Sequence, residues 1–94
     1  MTPEFLYYFR SMLAALGDRP GWYAVYAERD PEAARAHEDG REVPPWDVVR
    51  TVLRDLALDA GAPDADPAET ARAHALHGAA LAAEDTAPGA AARL

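Results

Sequence analysis

The sequence predicts an all-α protein, a compact bundle of four to five short helices. Three observations carry that reading. Apolar residues recur at three- and four-residue steps in two long segments, a capping residue stands directly before proline at Thr2-Pro3, Asp30-Pro31 and Asp66-Pro67, and no stretch alternates apolar and polar residues as a strand would. At 94 residues the chain holds one domain at most, and a chain of this length buries a smaller share of its surface than a larger protein does. Alanine dominates the hydrophobic half of the composition, and the large apolar side chains are concentrated before Leu58.

The first helix is expected over residues 3–16. Thr2 offers a cap, Pro3 a first-turn φ and Glu4 an acid at the positive end, while Phe5, Phe9, Met12, Leu13 and Leu16 share one face and Gly17 can end the helix. Asp18-Arg19-Pro20-Gly21 combines four turn residues. A short helix then opens at Trp22, with Trp22, Val25 and Tyr26 on its apolar side, and stops near Arg29 because Asp30-Pro31 caps and starts the next. That third helix runs from Pro31 to about Asp39 and ends at Gly40. Its only hydrophobic side chains are Ala33, Ala34 and Ala36, which bury little area. Residues 41–45 are held extended by Pro44 and Pro45. Pro45 starts a fourth helix in which Trp46, Val49, Val52, Leu53 and Leu56 keep a helical period through Leu58, the natural packing partner of the first. Pro67 to about Glu84 is the fifth, Ala-rich and loosely docked, with Leu76 and Leu81 its only large apolar groups and Gly78 a weak point. The domain is thus residues 1–84, and residues 85–94 are expected to be a flexible tail or linker.

Composition removes several classes of function. Without Cys there are no disulfides, thiolate metal sites or thiol nucleophiles. No apolar run approaches the roughly 20 residues that span a bilayer, and the first fifteen residues lack the pattern of a signal peptide, so a cytoplasmic location is expected. The formal charge is −7, and all nine basic residues are Arg. Such a balance favours solubility and repels nucleic acid and anionic lipid. The use of Arg alone, with abundant Ala, Gly and Pro, points to a GC-rich genome of actinobacterial type.

Residues Trp22–Leu58 resemble the helix-turn-helix of lambda-repressor-like (Xre-type) regulators, especially actinobacterial ones. The likeness lies in WYAVYAER, a following helix that ends in glycine, and REVPPWDVVRTVLRDL, with Gly40, Pro45, Trp46, Val48 and Val49 its specific part. It implies a five-helix domain in which residues 31–39 would be the recognition helix, and DNA contacts from Arg35, His37, Arg41 and Arg50. Two features depart from the family. The turn is reduced to the Asp30 junction, and the would-be recognition helix carries Asp30, Glu32, Glu38 and Asp39 against Arg35 and His37, with no Lys, Asn, Gln, Ser or Thr. Phosphate contacts dominate affinity for a duplex, so carboxylates in that position act against it.

Other constellations are weaker. His74 and His77, three apart on a helix, share a side but have no third metal ligand nearby, and the lone Ser11 sits mid-helix with no oxyanion-forming loop. No Gly-rich phosphate loop occurs. No catalytic residue, metal or cofactor is assigned, and no enzyme activity is expected. Aromatics crowd the first half: Phe5, Phe9, Trp22 and Trp46 are expected to fill the core, while Tyr7 and Tyr8, being neighbours on a helix, cannot both face inward. The expected function is a non-enzymatic protein-interaction or adaptor domain, regulatory in character, on a degenerate helix-turn-helix scaffold. Its contact residues would be Tyr7, Tyr8, Tyr23, Arg35 and His37, and a homodimer through the Ala-rich face of the fifth helix is a further expectation. The alternatives are a DNA-binding regulator and an acidic inhibitor or DNA mimic.

Overall fold

The computed structural model describes residues 1–85, so the expected tail from Thr86 onward lies outside the described residues. Five helices follow one another: α1 (Pro3–Leu16), α2 (Trp22–Arg29), α3 (Pro31–Glu38), α4 (Trp46–Asp59) and α5 (Pro67–Asp85). No strand occurs among the described residues. The bundle is all-α, as the apolar periodicity requires. α4 begins one residue later than the sequence suggests, because Pro45 keeps an extended ψ of 151° and serves as the residue before the helix.

α1 and α4 form the centre. Phe5, Tyr8, Phe9, Met12 and Leu16 of α1 meet Val48, Val49, Val52 and Leu53 of α4, with Tyr23 of α2 and Ala73 and Ala80 of α5 completing the buried cluster. Phe5, Phe9, Val49 and Val52 are wholly enclosed. Burying side chains of this size contributes about 1.5–3 kcal/mol each, which makes this four-helix contact the main source of stability.

The helix ends follow the caps written in the sequence. Thr2 Oγ1 accepts from the Phe5 amide at 3.3 Å, and Asp30 Oδ1 accepts from the Ala33 amide at 3.1 Å. Asp30 is at once the C-terminal cap of α2 and the N-terminal cap of α3, so the junction is a single residue. α3 ends through amides of Arg41 and Glu42 that donate to the Ala36 carbonyl, which places Gly40 at φ 79°. That left-handed position also lies against Leu6, whose Cδ2 would stand 2.8 Å from any Cβ at residue 40.

α5 docks with few large apolar groups. Its inward stripe is Ala73, His77 and Ala80, with Leu76 half-buried. Polar contacts supply the rest. Tyr8 Oη donates to Glu69 Oε1 at 2.5 Å, His77 Nε2 donates to the Pro44 carbonyl at 2.7 Å, and the Met1 ammonium lies 3.4 Å from Glu84. Rings add to these: His77 meets Phe5 edge-on, His74 meets Trp46 edge-on, and the Arg72 guanidinium sits 5.5 Å over the Tyr8 ring.

Candidate functional site

The residues expected to make contacts are not brought together on one surface. Tyr7 is exposed at 77%, and Arg35 points outward from α3, but Tyr8, Tyr23 and His37 are buried. This corrects the expectation for those three. Tyr8 faces the core because Phe5, Phe9 and Met12 fix that side of α1, and its hydroxyl is used on Glu69. Tyr23 donates to Glu38 Oε2 at 2.8 Å and stacks edge-on against Phe9. His37 is only 1% exposed; its Nδ1 donates to the Glu42 carbonyl, leaving Nε2 to accept from Tyr26 Oη at 2.8 Å. Ala34 and His37 are three residues apart on the same stripe of a helix that lacks large apolar groups, so the imidazole serves as the core side chain there.

The residues of the alternative DNA reading fare similarly. Arg35 and Arg41 line a polar hollow with Asp30, Glu32 and Glu42, and Arg41 already approaches Asp39 at 3.3 Å. Arg50 stands apart on the exposed side of α4, and His37 is inaccessible to a base edge. The outward face of α3 and its C-terminal cap present Glu32, Arg35 and Asp39. His74 and His77 do not form a metal site with a third ligand: among the described residues no group of three or more His, Cys, Asp or Glu is so placed.

The opposite correction concerns Trp22, expected in the core but 68% exposed, with Val25 beside it at 42%. α2 has two possible inner faces, one holding Tyr23 and the other Trp22, Val25 and Tyr26. The choice is made by Asp55 of α4, a buried carboxylate that accepts from the Trp22 amide at 3.1 Å and the Tyr23 amide at 2.8 Å. It caps α2 from another helix, because Gly21 at the cap position has no side chain to do so. A Cβ on residue 21 would lie 2.8 Å from Asp55 Oδ2, so only glycine admits the carboxylate this closely. With its amino end drawn to α4 in this way, α2 turns Tyr23 inward and leaves Trp22 and Val25 in water.

The result is a half-open cleft of about 440 Å³ between α2 and α4. Trp22, Tyr23, Val25, Tyr26 and Arg29 form one wall, and Asp47, Val48, Thr51 and Arg54 form the other. Trp22 also borders a second, smaller hollow with Leu16, Pro20 and Leu58, and Leu58 is 55% exposed. Burial first, then the bond to Glu38 and its charge, push the Tyr23 hydroxyl well above the ordinary tyrosine range, so the phenol stays neutral with its proton committed to Glu38 of α3.

Buried polar atoms elsewhere are fully committed. Among the described residues, no buried side-chain nitrogen or oxygen lacks a hydrogen-bond partner. Asp59 pairs with Arg19, and Asp55 with two amides, so neither is engaged with the arginines of α4. No protein-family model, curated protein or solved structure matches the chain.

Proposed function

We propose that the chain is a non-enzymatic protein-interaction module, regulatory in character, on a scaffold resembling a degenerate lambda-repressor-like domain. Its contact surface is the α2–α4 cleft, and its occupant is an apolar segment of a partner protein. The observation that carries this reading is the exposure of Trp22 and Val25 over a preformed cleft. Apolar surface left in water costs about 25 cal/mol per Å², and Trp is the residue type most enriched where partners bind tightly. The acidic outward face of α3 supports protein over duplex DNA as the counterpart.

Selection of a random peptide library on the immobilised chain, with counter-selection on Trp22→Ala, tests the reading directly. Peptides that bind the native chain and not the variant are expected. A selection that yields none, together with retardation of mixed DNA fragments at about 50 mM salt that is lost in Arg35→Glu, would replace it with the DNA-binding reading.

A further inference from the structure

We infer that the occupant of the α2–α4 cleft is a short amphipathic helix that carries carboxylates beside its apolar stripe; this rests on the docking role proposed above. Three features of the cleft lead there.

The walls come first. Trp22, Val25, Tyr26 and Arg29 follow the 0, 3, 4, 7 spacing of one helix face, and Val48, Thr51 and Arg54 follow the facing stripe of α4. Both walls are helices, whose backbone groups are satisfied internally except at their ends. An extended peptide laid between them would find no sheet edge for its own N–H and C=O groups and would leave them against apolar side chains. A helix brings its backbone already paired and inserts side chains alone. The cleft admits a few large anchors of that kind.

Charge then selects among helices. Two guanidiniums line the cleft against the single carboxylate of Asp47. Arg29 makes no ion pair among the described residues, and the nearby Asp30 is engaged in capping α3. Arg54 has only a 4.0 Å approach to Asp64, with both side chains exposed. On a chain of net charge −7, this is a local cationic rim around an apolar floor. Arginine presents a planar fork suited to carboxylates, and once a bound helix covers Trp22 and excludes water such a contact is stronger than on open surface.

The test uses the full chain and three synthetic peptides of about 16 residues, alanine-based, with leucines at helical spacing and flanking Glu, Gln or Lys. Binding is read as a blue shift of tryptophan emission that is absent in Trp22→Phe. The Glu peptide is expected to bind at least about tenfold more tightly than the Gln peptide, and the Lys peptide more weakly still. Arg29→Glu with Arg54→Glu should invert that order while leaving the helical circular dichroism unchanged; both side chains are exposed, and Arg29→Gln with Arg54→Gln, expected to erase the preference, serves should the reversed pair disturb the fold. Equal binding of the three peptides, or a preference for Lys, overturns the acidic helix and leaves the docking cleft standing. No binding by any of them, with no Trp22-dependent peptide in the selection above, overturns both.

Discussion

Asp55 does what no residue near Gly21 can do in sequence: it supplies the missing cap of α2 across 33 positions. Two backbone N–H groups at the positive end of a helix donate to one buried carboxylate, an arrangement that is charge-assisted in both bonds. Asp55→Ala leaves one buried and one partly buried donor unpaired and should cost about 2–3 kcal/mol. Gly21→Ala should cost a comparable amount, since its methyl meets the Asp55 carboxylate at 2.8 Å. The two changes share one volume, so their effects are not additive: with the carboxylate gone, the methyl has room. Urea midpoints of both single variants and the double variant check this. A Gly21→Ala variant as stable as the native chain would show that Asp55 does not hold α2 in the way described.

α5 invites the opposite experiment. Gly78 lies on the solvent side of the helix, and a Cβ placed there meets nothing within 4 Å, so the conformational cost of glycine is uncompensated. Gly78→Ala should add about 0.8–1 kcal/mol and raise the melting temperature by roughly 4–8 °C, provided α5 unfolds with the rest of the bundle. An unchanged thermal midpoint would mean that α5 melts separately. The elements themselves were legible in the sequence, because proline after a cap residue and the apolar period of α1 and α4 are local signals. The faces of α2 and α3 were not. Trp22 against Tyr23 is decided by a carboxylate 32 or 33 residues away, and His37 is buried only because α3 offers nothing larger for its inner stripe. The candidate cleft was therefore hidden: its walls were correctly placed on helices, but of the expected contact residues Tyr8 and His37 lie on the inner sides of α1 and α3, and Tyr23, although it borders the cleft, is buried.

At the scale of the whole molecule, tyrosines tie the helices to one another. Tyr8 joins α1 to α5 through Glu69, Tyr23 joins α2 to α3 through Glu38, and Tyr26 joins α2 to α3 through His37. In all three, burial is the main cause that holds the phenol above its ordinary range; hydrogen bonds to carboxylates add to it for Tyr8 and Tyr23, and the charges of Asp30 and Glu42 for Tyr26. The unfolded chain releases these protons near pH 10, while the folded chain keeps them to higher pH. Above about pH 10 the unfolded state therefore binds fewer protons than the folded state, and stability must fall as pH rises toward the folded values. The composition makes the measurement clean. With no Lys and no Cys, and arginine ionised throughout, tyrosine is the only side chain that titrates between about pH 9 and 12. Thermal midpoints should decline through that window, and phenolate absorbance from Tyr8, Tyr23 and Tyr26 should rise together with the loss of helical signal. A double variant, Tyr8→Phe with Tyr23→Phe, starts less stable because Glu69 and Glu38 lose their donors, but should decline less steeply with pH. Parallel declines in the native and variant chains would show that the cross-helix tyrosines do not govern alkaline unfolding.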